Sequence, residues 1–303
     1  MKPEYKASIF LILTTFFWAG NFVFGKFVAA ELTPLQLTFL RWLLAVLLLF
    51  PIAHWYERPS WPQVWREWKK LLALALLGMI GYNLILYQAL HFTSSLNAAL
   101  INSINPALIF LTSAWLLKER LSLTNSMGIL VSLLGVLLVL TDGRLQHILS
   151  IEFNPGDLLM LAAILTWNLY TLMGRRMQAV PPIAATAVSA FLSVLVLLPF
   201  VMLSGMPAAL SREAIIGVVY VAVFASVAAF LLWNSAILLL KAGQAGVYLN
   251  LITVFTAILS VLLGNTVTAV QIIGGLVVFA GVYLTTQKKK DSGKAKSSSQ
   301  KQV

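Results

Sequence analysis

The stretch Thr38-Phe39-Leu40-Arg41-Trp42 sets a guanidinium inside an otherwise apolar run. An arginine at the centre of a membrane helix costs about 2.5–3.5 kcal/mol on insertion, so Arg41 must face the protein interior and find acceptors there. Two readings of it stand side by side. Its planar fork can hold a substrate carboxylate or phosphate, or it can bind backbone carbonyls and loop groups and so fix helix packing. Uncharged polar and aromatic residues recur in comparable apolar runs: Trp18 and Asn21; Tyr82, Asn83, Tyr87 and Gln88; Asn97, Asn102, Ser103 and Asn105. Further along the chain come Trp167, Asn168 and Tyr170, then Trp233 and Asn234, then Tyr248 and Asn250. Amides in hydrocarbon need partners, so these residues suit a wet central cavity that receives a small amphipathic solute. Some of them will serve only to hold helices together.

Other chemistry finds little support. The acids are Glu4, Glu31, Glu57, Glu67, Glu119, Asp142, Glu152, Asp157, Glu213 and Asp291, and each falls in a loop or at the end of an apolar run. Carriers driven by protons or sodium commonly use a buried carboxylate, so coupling through a titrating acid is disfavoured, while backbone carbonyls or asparagines could still hold a cation. His54, His91 and His147 lack metal-ligand spacing, and no serine, histidine and acid set suggests catalysis. Cysteine is absent, which removes disulfides and thiolate sites. No catalytic residue, metal or cofactor is expected, and the protein is read as a non-enzyme. A net charge of +11 raises the question of nucleic acid, but no basic groove with interleaved aromatics appears. The expected partners are a small-molecule substrate and membrane lipids, with the chain acting as a monomer.

The elements that must position these residues follow from composition. A chain of 303 residues that is 60% hydrophobic and 10% charged, with mean hydropathy +0.89, belongs in a bilayer. Spans of about 20 apolar residues suit a core about 30 Å thick. Ten are expected: 8–28, 35–54, 71–92, 97–117, 126–141, 157–177, 183–203, 215–239, 245–263 and 271–286. Lys2, Glu4 and Lys6 before the first run imitate a signal peptide, but the run continues to Val28 without a small-residue cleavage site, so it reads as a retained span. At Asn105-Pro106, in the fourth span, proline removes a backbone hydrogen bond and frees a carbonyl, which either bends the helix for packing or serves the cavity.

Short-loop lysines and arginines orient the chain. With the amino terminus inside, the inner face carries Lys2, Lys6, Arg58, Arg66, Lys69, Lys70, Lys118, Arg120, Arg175, Arg176, Lys241 and tail lysines 288, 289, 290, 294, 296 and 301. The outer face carries Lys26, Arg144 and Arg212. Seventeen against three places both termini in the cytoplasm and makes the span count even. Residues 288–303, rich in Lys, Ser and Gln, form a basic tail expected to be disordered and to touch anionic lipid.

Residues 8–141 and 157–286 read as two versions of one segment. Trp18, Gly25 and Lys26 meet Trp167, Gly174 and Arg175 at an offset of 149, while Pro34 and Pro51 meet Pro182 and Pro199 at 148. Gly128 and Gly135 meet Gly274 and Gly281 at 146. Drifting offsets are what loop insertions and deletions leave. Five spans per copy is odd, so the second copy enters the membrane inverted, the plan of many secondary transporters. Residues 1–150 and 151–287 are the two expected five-helix repeats. Lys26 and Arg175 then stand at opposite faces, fitting gates, helix-end anchors or interfacial snorkelling.

The segment Trp18 to Lys26, Phe39-Leu40-Arg41, Ala98-Ala99 through Asn105-Pro106, Glu119-Arg120-Leu121 and Gly128 to Gly135 together resemble the EamA branch of the drug/metabolite transporter superfamily. The likeness spans nearly the whole chain. It implies ten helices as inverted repeats and a carrier that exports amino acids and other metabolites from bacterial cells through a central cavity. That would put Trp18, Asn21, Tyr82, Tyr87, Asn102, Trp167, Tyr170, Trp233 and Tyr248 near the solute path. Asn265 stands where Glu119 would predict an acid, and Thr253 or Val254 where Pro106 would predict a proline, so repeat-symmetric roles for those two are not implied. Glu119, beside Lys118 and Arg120, is expected to be an ion-pair partner. The reading is an inner-membrane alternating-access carrier for amino acids or related compounds, by efflux, uniport or exchange. The alternative is a lipid or lipid-carrier flippase, with Arg41 its one buried headgroup ligand.

Overall fold

A computed structural model describes residues 3–116, 123–140, 143, 155–177, 179–240, 242–264 and 269–286. Among them the chain is helical throughout, with no strand. In chain order the helices are α1 (Pro3–Val28), α2 (Pro34–Glu57), α3 (Trp61–Arg66), α4 (Trp68–Phe92), α5 (Ser95–Asn102), α6 (Asn105–Leu116), α7 (Leu123–Leu140), α8 (Pro155–Arg175), α9 (Pro182–Ser204), α10 (Arg212–Leu239), α11 (Gln244–Leu262) and α12 (Ala269–Thr286). Seven of these, α1, α2, α4, α8, α9, α10 and α11, are long and apolar enough to cross a membrane. Large apolar side chains such as Leu47, Leu203 and Phe200 are exposed on the outside of the bundle, as a lipid-facing surface requires. The protein is a multi-pass membrane protein. The Glu119-Arg120-Leu121 segment, the loop around Arg144, Asn265 and the basic tail lie outside the described residues.

Local sequence explains where the helices begin and bend. Thr33 caps α2 by accepting from the Gln36 N–H at 3.3 Å while the Gln36 side chain accepts from the Thr33 N–H at 2.9 Å, so two otherwise orphaned donors are satisfied. Pro34 and Pro182 open α2 and α9, where a missing N–H costs nothing. The expected fourth span is two helices, α5 and α6, separated at Ser103-Ile104 just before Asn105-Pro106. The ninth is interrupted at the matching place by a 3₁₀ turn, Tyr248–Asn250, although no proline stands there. The short helix α3 has no counterpart in the sequence reading; Ser60 and Pro62 start it, and Trp61 stacks on Phe50 at 5.2 Å.

Besides the π-helical end of α2 at Ala53–Glu57, two helices carry π-helical stretches at matched places, Ala75–Gly81 in α4 and Val221–Ala228 in α10, beginning 146 residues apart. Wider turns free carbonyls from the usual ladder. Met79 O accepts from Trp42 Nε1 at 2.9 Å, and Ala225 O, its match at 146, accepts from Trp18 Nε1 at 3.1 Å.

Packing between the halves is reciprocal. Helix α1 lies against α10, and α8 against α4; α2 pairs with α9, α6 with α11 and α7 with α12. The α7–α12 contact depends on glycine: a Cβ on Gly135 would lie 2.7 Å from Gly274 O, and one on Gly281 would lie 2.6 Å from Gly128 O. Such small-residue crossings let membrane helices approach closely.

Candidate functional site

Arg41 sits at the meeting point of α1, α2, α4 and α10 and is 1% exposed. Its Nε donates to Ser226 Oγ at 2.8 Å. Its Nη1 donates to Asn21 Oδ1 at 3.2 Å, to Asn83 Oδ1 at 2.5 Å and to the Tyr87 hydroxyl. Tyr87 in turn donates to Asn21 Oδ1 at 2.8 Å, while the Asn83 amide is anchored on the carbonyls of Gly78 and Met79 at 3.1 and 2.8 Å. The guanidinium also lies 5.2 Å from the Trp42 ring centre, within cation–π reach. Every hydrogen-bond acceptor in this set is neutral. None of the described residues that Arg41 bonds carries a carboxylate. Its Nη2 donates to none of the described residues.

Beside Arg41 lies a small cavity, lined also by Trp18, Asn21, Tyr82, Asn102, Asn105 and Trp167, with Phe22, Asn83, Phe230, Leu249 and Ile252 completing the wall. It has room for about one water. Asn102 Oδ1 and Asn105 Oδ1 are buried without a donor, and Trp167 Nε1 is buried without an acceptor. A buried polar group left unmatched costs about 1–3 kcal/mol, so a ligand that matched these atoms would recover that cost. The floor of the cavity is aromatic. Trp18 and Trp167, the matched tryptophans of the two halves, meet edge to face at 4.9 Å, and Trp233 lies 5.3 and 5.6 Å from them. Tyr82 and Tyr170 pack on Trp167 at 5.2 and 5.0 Å.

Of the residues expected along the path, Trp18, Asn21, Arg41, Tyr82, Asn102 and Trp167 line this cavity. Tyr87 stands behind Arg41 as a hydrogen-bond partner, and Trp233 and Tyr170 back the aromatic floor. Tyr248 is elsewhere: its hydroxyl donates to Ser8 Oγ at 2.7 Å, near the start of α1. Asn83 and Asn105, which the sequence marks as amides suited to a cavity, and Ser226 and Phe230, which it does not mark, complete the site. Asn83 and Asn105 carried a signal, an amide in an apolar run; Ser226, in Phe-Ala-Ser-Val, and Phe230 carried none.

The charges at the rim cap helices. Lys26 Nζ bonds Leu90 O and, at 3.1 Å, Thr93 O at the end of α4. Arg175 Nη1 bonds Ile237 O and Leu240 O, the positions 147 further along at the end of α10. Cations there meet the negative end of the helix dipole and its free carbonyls. Glu57 accepts from the N–H groups of Ile183 and Ala184, both at 2.8 Å, at the start of α9. Glu31 accepts from Ser211 N at 2.9 Å and Ser211 Oγ at 2.5 Å, and these bonds, the hydroxyl's first, hold its carboxyl below the usual range.

Fold and site together define a multi-pass helical membrane protein with a closed cavity at its centre, polar, aromatic and singly charged. The model of the EamA-like transporter family matches residues 5–141 and again 154–287, and the chain belongs to that family. An uncharacterized transporter of Archaeoglobus fulgidus is 32% identical, over 93% of this chain and 98% of the relative. A Salmonella typhimurium protein named as a probable amino-acid metabolite efflux pump is 27% identical over 92% and 94%. One solved crystal structure superposes with a TM-score of 0.73, covering 92% of this chain and 96% of that one at 21% identity, which speaks to the fold.

Proposed function

We propose that the protein is an inner-membrane carrier for neutral zwitterionic amino acids or closely related metabolites, binding them at the Arg41 cavity. The observation that carries this reading is the set of unmatched atoms around one small space. Arg41 Nη2, which donates to none of the described residues, and Trp167 Nε1, buried without an acceptor, are donors suited to a carboxylate; Asn102 Oδ1 and Asn105 Oδ1, buried without a donor, are acceptors suited to an ammonium. A zwitterion supplies both. It also brings the carboxylate that Arg41 lacks, and a charge-assisted bond in a dry site is worth more than a neutral one. The aromatic floor then receives the side chain.

Ten spans in two inverted repeats, residues 1–150 and 151–287, would expose the cavity alternately to each side. Reciprocal packing of matched helices and the repeated family match support that arrangement. In this closed form the cavity has room for about one water, so the helices around it must part for an amino acid to bind. The inner-face excess of lysine and arginine supports cytoplasmic termini. Export as the physiological direction is supported by the name of the Salmonella relative. With no carboxylate in contact with Arg41, uniport or exchange is the favoured mode. Arg41 is sealed in the bundle rather than set at a lateral opening, which favours a soluble solute over the lipid-flippase alternative.

Dipeptide-loaded cells provide the test. Cells making the protein should release the liberated neutral amino acids faster than cells making Arg41→Gln or carrying an empty vector. Equal release by all three would overturn the proposal.

A further inference from the structure

Helices α11 and α12 follow one another in the chain but do not close along their whole length. Between them lies a groove of about 410 Å³, against about 10 Å³ beside Arg41. It opens to the outside of the bundle, where Leu262, Ile272 and Leu276 of its wall are exposed. It is left open because α12 gives its close-packing face, at Gly274 and Gly281, to α7. Among the described residues its one polar side chain is Thr253, and that hydroxyl is engaged: it donates to Ala99 O at 2.9 Å and lies 2.9 Å from Ser103 Oγ. Water enters such a space only with polar partners, and the groove offers none. A void would forfeit dispersion contacts along the whole lining, so the groove calls for an apolar occupant.

Its length selects which one. From Leu262 back to Thr253 the wall follows about 14 Å of α11, and the hydrocarbon of one leaflet is half of a core about 30 Å thick. The groove begins where α11 and α12 are joined, at one face of the membrane, and ends at Phe279, which meets Phe255 edge to face at 6.4 Å. A helix from a second copy would need a groove through both leaflets. A single hydrocarbon chain entering from one face needs only this one.

We propose that the groove holds one acyl chain of a phospholipid, resident in the leaflet opposite the carboxyl terminus of α12. Ile252 lines the Arg41 cavity and Thr253 lines the groove. The lipid therefore braces from outside the same turn of α11 that walls the cavity within, just past the 3₁₀ turn Tyr248–Asn250. The site does not depend on which solute the protein carries.

The probe is phosphatidylglycerol with a diazirine near the end of one acyl chain, mixed into liposomes that contain the purified protein. On irradiation, cross-links should concentrate on residues 253–262 and 272–279 relative to Leu203, which is exposed elsewhere on the bundle. Ala257→Trp fills the groove and should remove that excess. It should also lose the one phospholipid that native mass spectrometry finds on the parent after detergent washing. Gly275→Leu, whose Cβ would meet only Val254, at 3.6 and 3.8 Å, carries the same test should the first variant fail to fold. Cross-links no denser in the groove than at Leu203, or a retained lipid that the folded variants keep, would overturn the proposal. So would a parent that is dimeric and becomes monomeric in Ala257→Trp, since a second copy would then be the occupant.

Discussion

Replacing Arg41 by glutamine separates a solute-binding role from a packing role. Arginine here donates to four oxygens; a glutamine amide can serve one or two and Asn21 Oδ1 keeps its bond from Tyr87, so one or two acceptors lose a donor, at about 1–3 kcal/mol each. The same change removes an insertion cost of about 2.5–3.5 kcal/mol. The two effects nearly cancel, and the variant should fold, with a melting temperature in detergent within a few degrees of the parent. Solute binding has no such compensation. Loss of one charge-assisted hydrogen bond, worth about 1.5–3 kcal/mol, weakens affinity by about 10- to 150-fold at 1.4 kcal/mol per decade. The assay is competition against labelled leucine flux in proteoliposomes by leucine and by its carboxyl-free analogue isoamylamine. Leucine should lose potency by that factor in Arg41→Gln, and isoamylamine, weak to begin with, should not change. A variant that unfolds, or that loses both competitors equally, would refute the assignment and leave Arg41 as a packing residue.

Further substitutions test the supporting structure. Gly78→Ala sets a methyl group 2.3 Å from the Tyr170 ring and should destabilise the protein by about 1–3 kcal/mol, an effect that adding Tyr170→Ala largely relieves in thermal melts. Gly135→Ala forces apart the backbones of α7 and α12, where no flexible side chain can yield, so it should lower the melting temperature more than Gly174→Ala, whose Cβ meets nothing nearer than 4.0 Å. Lys26→Met and Arg175→Met should each cost about 1–3 kcal/mol through unmatched carbonyls, and Lys26→Arg should retain most of the stability by the same melts. Glu31, held below the usual carboxylate range by Ser211, contributes stability that is whole above the ordinary glutamate pKa of about 4.3 and is lost as pH falls through its lower folded value. The melting temperature of the parent should therefore fall more steeply below that pH than the melting temperature of Glu31→Gln.

The long helices were legible because bilayer-length apolar runs have few other solutions, and observed ends such as Pro34 and Pro182 fall beside recognisable start signals. The break between α5 and α6 was legible from Asn105-Pro106, but the turn at Tyr248–Asn250 was not, since no residue there forbids a helix. Arg41, Asn21 and Asn102 could be picked out because a polar group in hydrocarbon demands an explanation. The same rule misplaced Tyr248, since polarity alone does not distinguish a cavity wall from a contact with Ser8. Ser226 was invisible because the widened turn of α10 around it, rather than its own side chain type, belongs to the geometry that meets Arg41. The opposite occurred at Lys26 and Arg175: their matched positions were evident, yet only the structure shows that each closes the end of another helix in its own half.

The most direct test of the central claim is counterflow of radiolabelled leucine into liposomes that contain the purified protein and are preloaded with unlabelled leucine. Saturable accumulation that an imposed pH gradient does not alter is expected, with zwitterionic amino acids inhibiting far better than isoamylamine or isocaproate. Flux no greater than in protein-free liposomes, or inhibition indifferent to the carboxylate and the ammonium, would contradict it.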